Sequence, residues 1–134
     1  MSKQLTLELI AFKTKTNQLD RIKNLNLVGN DIGNIAICSE MEALEVLSLS
    51  VNSIRSLEPL QHCYALKELY IRRNCIESLE ELEFLKGLPN LRTLWLDENP
   101  IASILGYRLS TIKLLRQLDK LDNVLITEEE RIQA

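Results

Sequence analysis

The sequence has few of the residues that usually build an active site. Among its 134 residues there is a single histidine, and aromatic residues make up only 4% of the chain. His62 is next to Cys63, but adjacent side chains rarely converge on one centre and no cluster of further ligands accompanies them. Gly-rich phosphate loops, nucleophile elbows and HExxH motifs are also missing. We therefore predict that the protein is not an enzyme and needs neither a metal nor a cofactor.

The sequence also lacks an excess of basic residues and any long apolar run. Its formal net charge is −3, whereas nucleic acids and anionic membranes select for a surplus of Lys and Arg. No segment approaches the roughly 20 apolar residues that span a bilayer. Glu8 interrupts the apolar run near the N-terminus, so we expect no signal peptide. These absences predict a protein that contacts neither nucleic acid nor membrane directly.

Paired cysteines are missing as well. Cys38, Cys63 and Cys75 are far apart in the sequence and form no CxxC motif. An odd number of cysteines without a signal peptide is typical of reduced thiols in the cytoplasm. We expect all three to be packing residues.

What the sequence does contain is a leucine pattern with a period of 22 residues. Segments beginning at Ile22, Leu44, Leu66 and Leu91 follow L-x-x-L-x-L-x-x-N-x-I, the signature of leucine-rich repeats. The third repeat is longer, and its extra residues lie in "EELEFLKGLPN", where we expect a short helix after the strand. Alternate leucines of each strand face inward, and one coil cannot bury them without its neighbours. The pattern predicts an α/β leucine-rich repeat solenoid with about five short parallel strands on its concave face.

An asparagine follows each predicted strand. Its side chain can bond the turning backbone, which a leucine cannot do. Stacked asparagines would also satisfy buried amides of neighbouring coils. The predicted ladder consists of Asn30, Asn52, Asn74 and Asn99.

Helix signals at both ends predict caps that cover the terminal coils. Leu5, Leu9 and Phe12 recur at helical spacing, so we predict a capping helix at the N-terminus. Thr127 with Glu130 three residues later is a capping box that opens another helix. We expect one domain over the whole chain, divided into an N-terminal helical cap (1–18), repeats (19–102), a C-terminal cap (103–126) and the start of a further helix or linker (127–134).

The concave face is predicted to change in character along the solenoid. Equivalent positions of successive repeats lie on neighbouring strands about 4.8 Å apart, so that Asn26, Ser48, Tyr70 and Trp95 form one row. Small residues fill the N-terminal half, and aromatic and charged residues crowd the C-terminal half. Trp, Tyr and Arg dominate interface energetics. The predicted protein-binding residues, which we call the concave patch, are Glu68, Tyr70, Arg72, Arg73, Trp95, Asp97 and Glu98.

A structural interpretation of the same residues is compatible with this one. In it, the side chains satisfy each other across neighbouring strands, and exposed ion pairs of this kind contribute only about 0–1 kcal/mol each. The expected contacts are Arg72 with Asp97, Arg73 with Glu98, and Tyr70 stacked on Trp95.

The repeats and the C-terminal segment resemble a known class of leucine-rich repeats. The period of 22 with Ile after the Asn resembles the SDS22-like class, and the segment from Tyr107 and Arg108 to Leu121 and Asp122 resembles its C-terminal cap. We expect Tyr107 to pack on the core and Arg108 to bond carbonyl groups or Asp122. These four residues are predicted to be structural.

More narrowly, three segments are similar to the N-terminal domain of the cilia- and flagella-associated protein 410 family: "LSVNSIRSLEPL", "LYIRRNCIESLEELEFLKGLPNLRTLWLDENP" and "LDKLDNVLITEEE". The resemblance covers essentially the whole chain. It implies a non-enzymatic scaffold of cilium and flagellum assembly at the basal body, with a NIMA-related kinase as a partner. The family also has a C-terminal helical oligomerisation segment that these residues do not include, so we expect this chain to be monomeric.

Two alternatives remain open at the level of sequence. The SDS22-like period is also compatible with a regulatory subunit of a protein phosphatase, although four repeats offer a short concave face. Capped short repeat domains also occur as nuclear ribonucleoprotein scaffolds, which would place the protein in the nucleus.

Overall fold

The alternating leucines form a row of short strands. The computed structural model describes residues 2–134 and contains a six-stranded sheet in the order β2-β4-β5-β6-β7-β8, together with a separate two-stranded sheet, β1-β3. The strands are β1 (Lys3–Gln4), β2 (Asn24–Asn26), β3 (Ile32–Asn34), β4 (Val46–Ser48), β5 (Glu68–Tyr70), β6 (Thr93–Trp95), β7 (Lys120–Leu121) and β8 (Val124–Leu125).

The central residue of each repeat strand lies on one line through the core. Leu25, Leu47, Leu69, Leu94 and Leu121 pair in register across five parallel strands. All five are at most 2% exposed. The predicted α/β solenoid with five parallel strands is confirmed.

Short helices return the chain from one strand to the next. Most return segments contain a single 3₁₀ turn, whereas the longer third repeat has an α-helical turn followed by a 3₁₀ turn, as expected from its extra residues. The α-helices are α1 (Leu7–Thr14), α2 (Leu79–Leu82), α3 (Tyr107–Leu114) and α4 (Glu128–Gln133), and the 3₁₀ turns are Leu19–Arg21, Ala36–Glu40, Glu58–Leu60, Glu83–Leu85 and Pro100–Ser103. None of the helices formed by residues 2–134 has the length and hydrophobicity that crossing a membrane requires.

Asn74 connects two coils through its side chain. Its Nδ2 donates to the Leu49 carbonyl of the preceding coil at 2.9 Å and to the Ile71 carbonyl of its own coil at 3.1 Å. Its Oδ1 accepts from the Ile54 amide at 3.0 Å. One buried side chain therefore satisfies backbone groups that stacking removes from water.

The other asparagines of this position are not all equivalent. Asn52 and Asn99 make the same kind of bonds to the coil before them. Asn30 differs, because its Nδ2 donates only to the Val28 carbonyl of its own turn, at 3.2 Å. The strand before Asn30 is the first of the main sheet, so Asn30 has no preceding coil to bond.

The residue before each asparagine has a positive φ. The angles are 72° at Gly29, 60° at Val51, 56° at Arg73 and 60° at Glu98. Non-glycine residues pay roughly 1–2 kcal/mol for this left-handed conformation. Three of the four coils therefore carry backbone strain at the same turn.

The N-terminal cap contains the predicted helix, but in a different phase. Thr6 is the N-cap of α1 and accepts from the Leu9 amide at 3.2 Å, so that Leu5 is buried ahead of the helix. Within α1 the fully buried residue is Ile10, and Phe12 is 69% exposed. Phe12 thus lies on the predicted helix but outside the core.

Two strands beyond the repeats cover the ends of the solenoid. Strand β1 pairs in parallel with β3, and β8 pairs antiparallel with β7. The β7–β8 turn consists of Asp122 and Asn123 with φ of 53° and 65°. Positive φ at both central residues is what a type I′ hairpin turn requires.

Candidate protein-binding site

The two aromatic residues of the concave patch are held side by side by strand pairing. Tyr70 in β5 is paired with Trp95 in β6. Because Leu69 and Leu94 face the core, both aromatic side chains face outward, where they are half-buried. Their ring centroids are 6.3 Å apart with the planes at 60°. The rings are therefore tilted, and the expected stacking was wrong.

The Tyr70 hydroxyl is fixed within its own strand. It donates a short hydrogen bond to the Glu68 carboxylate. This bond, with smaller effects of burial and of the Glu68 charge, raises the pKa of Tyr70 to about 12. The phenol is thus neutral at physiological pH, and its apolar ring is presented to the concave side.

Arg72 is engaged by both acids of the next strand end. Its Nε lies 3.2 Å from Asp97 Oδ1, and its Nη2 donates to Glu98 Oε2 at 2.5 Å. The guanidinium carbon also lies 5.7 Å from the centre of the Trp95 ring, within cation–π range. The bond to Glu98 was not expected from the sequence, and it leaves Arg72 electrically compensated.

Arg73 is less engaged than Arg72. Its Nε lies 3.5 Å from Glu98 Oε1, and Arg72 holds the other oxygen of the same carboxylate. The Arg73 side chain is 60% exposed. A single shared carboxylate at this distance leaves most of the donors of Arg73 free for a partner.

The Trp95 indole has an unpaired donor. Among the atoms of residues 2–134, Nε1 is shielded from solvent and has no hydrogen-bond partner. A buried donor left unpaired costs about 1–3 kcal/mol. Trp95 therefore adds a cost to the free protein at the centre of the concave patch.

Tyr107 in the C-terminal cap connects the last two coils. Its hydroxyl donates to Asp122 Oδ2 at 2.8 Å, and Asp122 Oδ1 accepts from the Leu96 amide at 2.6 Å. Burial and the negative charge of Asp122 raise the pKa of Tyr107 well above its usual range. The ring is only 8% exposed, so these contacts close the core.

Arg108 joins the β7–β8 hairpin to α4. Its guanidinium donates to the carbonyls of Leu121, Val124 and Leu125 at 3.0, 3.4 and 3.3 Å. It also donates to both oxygens of Glu130, at 2.5 Å from Nε and 3.2 Å from Nη2. Of the partners expected for Arg108, the carbonyls hydrogen-bond to it and Asp122 does not.

Glu130 also binds Arg108, a structural role that the sequence did not predict. The capping box of α4 is present, since Thr127 Oγ1 accepts from the Glu130 amide while the Glu130 carboxylate accepts from the Thr127 amide. The capping-box motif identified Glu130 but did not indicate Arg108 as its second partner. The Arg108 hydrogen bond, followed by that from the Thr127 amide, lowers the pKa of Glu130 to about 2.

The concave patch is confined to two neighbouring coils. All seven residues of the concave patch lie on β5, on β6 or in the turns that follow them. Within residues 2–134 no group of three His, Cys, Asp or Glu side chains is placed to hold a metal ion. The patch offers two half-buried aromatic rings and one largely free guanidinium.

Comparisons with known proteins agree with the repeat pattern. A leucine-rich repeat family model matches residues 3–134. Human cilia- and flagella-associated protein 410 is 48% identical over 133 residues, which cover 98% of this chain and 52% of the relative. The mouse protein of the same name is 46% identical over 98% of this chain and 53% of the relative. The chain thus spans about half the length of these curated relatives.

Solved structures show the same architecture. A chain in the crystal structure of the Drosophila melanogaster SNF/U2A′ complex has a TM-score of 0.75 at 25% identity, covering 98% of this chain and 90% of that one. Internalin C2 of Listeria monocytogenes shares the fold with a TM-score of 0.65 at 24% identity, over 88% of this chain and 46% of its own. The chain therefore belongs to the leucine-rich repeat family, and over nearly its whole length it is similar to cilia- and flagella-associated protein 410.

Proposed function

We propose that this chain is a non-enzymatic protein-interaction module of the cilium that binds its partner through the concave patch. The observation that carries the proposal is the position of Trp95, which is half-buried on the concave face beside Tyr70 and Arg72. Half-buried Trp and Tyr beside an available Arg are the residues that dominate protein interfaces.

The ciliary part of the proposal rests on the relatives. Human and mouse proteins named for cilia and flagella are similar to the whole of this chain. We propose that the chain acts as a scaffold in cilium assembly at the basal body. By family resemblance, a NIMA-related kinase is the first partner to examine.

The SNF/U2A′ likeness supports a second candidate, a nuclear ribonucleoprotein scaffold. That chain shares the fold over most of its length and was crystallised within a complex. Recovery of this protein in the nucleus, in an RNA-dependent assembly, would favour this candidate over the ciliary one. The net charge of −3 still favours contacts with protein over contacts with RNA.

Substitutions on the concave patch test the proposal. We expect Tyr70→Ala, Arg73→Ala and Trp95→Ala, introduced separately into the tagged protein in ciliated cells, to reduce recovery of its partners and its basal-body signal. Hot-spot truncations typically cost about 2 kcal/mol or more, so the expected loss of affinity is about thirtyfold. Quantitative mass spectrometry and microscopy measure the two effects.

Tyr64→Ala is the matched control, because Tyr64 is 54% exposed and lies outside the concave patch. Circular dichroism of each purified variant verifies that it is folded. Folded concave variants that recover the same partners as the unchanged protein would refute the assignment of the patch.

A further inference from the structure

The concave face has a basic side at the points where its strands begin. The residues directly before β2, β4, β5 and β6 are Lys23, Glu45, Lys67 and Arg92. Lys13, near the end of α1, also lies next to β2 and β4, since it lines a cavity with residues of both strands. We call these five residues the strand-start rim. Four of them are cations in a chain whose net charge is −3.

The acids in this row already have partners. Glu45 Oε1 lies 3.3 Å from Lys67 Nζ. Asp119, the equivalent residue before β7, lies 3.9 Å from the Arg131 guanidinium. Neither acid is left to neutralise the remaining cations of the strand-start rim.

Three cations of the rim have no acidic partner. Across the described residues, no acidic oxygen lies within 4 Å of Lys13, Lys23 or Arg92. The Arg92 Nη1 donates to the Gln117 carbonyl at 2.7 Å, which leaves its charge uncompensated. Lys13 and Lys23 are exposed.

The opposite side of the face differs in charge. There Arg72 and Arg73 meet Asp97 and Glu98, so positive and negative charges balance where β5 and β6 end. Three cations without an acidic partner thus lie along the strand-start rim, whereas the arginines at the strand ends each lie within 4 Å of an acid. This asymmetry favours a partner whose negative charge lies along one flank.

Between the two sides, the floor of the face leaves room at its N-terminal end. A cavity of about 430 Å³ is lined by Lys13, Thr14, Asn26, Val46 and Ser48, among others. Next to it along the same row, Tyr70 and Trp95 stand half-buried. A ligand thus meets small side chains first and aromatic rings after them.

The spacing of the strands matches the turns of a helix. Neighbouring strands are about 4.8 Å apart, and three residues of an α-helix rise about 4.5 Å. A helix that lies across the strands therefore presents residues i, i+3 or i+4, and i+7 to successive coils. Acidic residues at these positions on one flank would run along the strand-start rim.

We propose that the partner segment is an amphipathic helix that lies across the strands, with an acidic flank on Lys13, Lys23 and Arg92. Its bulky apolar side chains occupy the cavity and contact Tyr70 and Trp95. The inference rests on the proposed function, because it concerns the same concave face. It adds the charge and apolar character of the ligand and its orientation across the strands.

A displayed peptide library tests this inference with a defined probe. The library holds random peptides of about 18 residues, roughly 27 Å as a helix, which is enough to cross four strand spacings. It is selected separately on the unchanged chain, on Lys13→Glu/Lys23→Glu and on Lys86→Glu/Lys113→Glu. The last variant has the same charge change, but at residues that line a groove between α2 and α3.

We expect peptides selected on the unchanged chain to carry Asp or Glu at helical spacing on one flank of an apolar stripe. Their binding is followed by the fluorescence of Trp95, the single tryptophan of the chain. Affinity should fall at least about tenfold for Lys13→Glu/Lys23→Glu, and should be unchanged for the α2–α3 control. Higher salt should weaken binding as well.

Different outcomes would refute the acidic helical ligand and the concave binding site. Selected peptides that change Trp95 fluorescence but are basic, or lack an acidic flank, overturn this inference and leave concave binding intact. If the selected peptides are acidic but their acidic residues lack helical spacing, the ligand is extended and the proposed helix is wrong. If no peptide is selected, or if none changes Trp95 fluorescence, the concave binding site itself is refuted.

Discussion

Asparagines at equivalent repeat positions make different numbers of hydrogen bonds. Asn74 is 7% exposed and bonds four backbone groups of two coils. Asn30 is partly exposed and bonds one carbonyl of its own turn. Both match the repeat pattern equally well in the sequence. The difference comes from the presence or absence of a preceding coil.

Alanine at these two positions should therefore have unequal effects. Asn74→Ala leaves the Ile54 amide without its partner. It also removes one hydrogen bond each from the Leu49 and Ile71 carbonyls, which keep those from Asn52 and Asn99. An orphaned buried amide costs about 1–3 kcal/mol and a lost hydrogen bond about 0.5–1.5 kcal/mol, so we expect a loss of roughly 2 kcal/mol or more in the free energy of unfolding. Urea denaturation monitored by circular dichroism measures it.

Asn30→Ala is the matched comparison. It removes one partly exposed hydrogen bond, so the expected loss is about 0.5–1 kcal/mol. Equal losses at the two positions would contradict the role assigned to the preceding coil.

At the scale of elements, the C-terminal cap depends on two arginines, of which Arg131 in α4 donates to the Leu118 and Arg116 carbonyls at 2.5 and 3.2 Å. Arg108 bonds three carbonyls of the β7–β8 hairpin and the Glu130 carboxylate of α4. Helix α4 contains no fully buried residue. Its attachment to the solenoid therefore depends strongly on polar contacts, in contrast to the coils.

This attachment should weaken in acid. The pKa of Glu130 is lowered from 4.5 to about 2 in the folded cap, so the ionised carboxylate stabilises the folded state. That contribution is fully present above about pH 4.5 and is lost as the pH falls towards 2. We expect the protection factors of the α4 amides, which correct for intrinsic exchange rates, to fall across this interval in hydrogen–deuterium exchange.

Glu130→Gln should give fast exchange in α4 at neutral pH and remove most of the dependence on pH in this range. Glu128→Gln, in the same first turn, is the control. Slow exchange in Glu130→Gln would show that other contacts hold the helix.

The sequence predicted the repeating elements and the two terminal helices, but not the features that depend on a single cap or turn. Strands β4, β5 and β6 follow from leucine spacing because stacking imposes the same register on each coil. The phase of α1 depends instead on where Thr6 caps it, which moves Phe12 to the surface. Strand β8 depends on the turn at Asp122 and Asn123, a short-range signal that the repeat pattern does not contain.

The same distinction applies to the candidate site. Which side chains share the concave face follows from the alternation along β5 and β6, so the membership of the patch could be read from the sequence. The contact of Arg72 with Glu98 and the tilt of Tyr70 against Trp95 depend on side-chain torsions that no spacing specifies. The difference in availability between Arg72 and Arg73 needed the structure.

At the scale of the whole molecule, two thiols report on the integrity of the stacked coils. Cys38 and Cys63 are buried in consecutive coils, and the Cys63 thiol donates to the Cys38 carbonyl at 3.4 Å. Burial, with the nearby Cys63, raises the pKa of Cys38 to about 12, and burial raises that of Cys63 to about 11. Cys75 is only partly buried.

A thiol reagent at pH 8 should therefore react in two phases. We expect Cys75 to react first, and Cys38 and Cys63 only at the rate at which the coils open, because thiolates are the reactive species. Mass spectrometry of timed samples identifies each modified residue. Cys75→Ser should abolish the fast phase alone, and early labelling of Cys38 would contradict a tightly packed core.

The left-handed turns have a consequence for attempts to stabilise this protein. Glycine would relieve the backbone at 51, 73 and 98, where φ is 56–60°, and strain of this kind amounts to roughly 1–2 kcal/mol per position. At 73 and 98, however, glycine would also delete Arg73 and Glu98. Laboratory selection for thermal stability should therefore accept glycine at 51. Natural selection should reject it at 73 and 98, because glycine there would remove side chains of the concave patch.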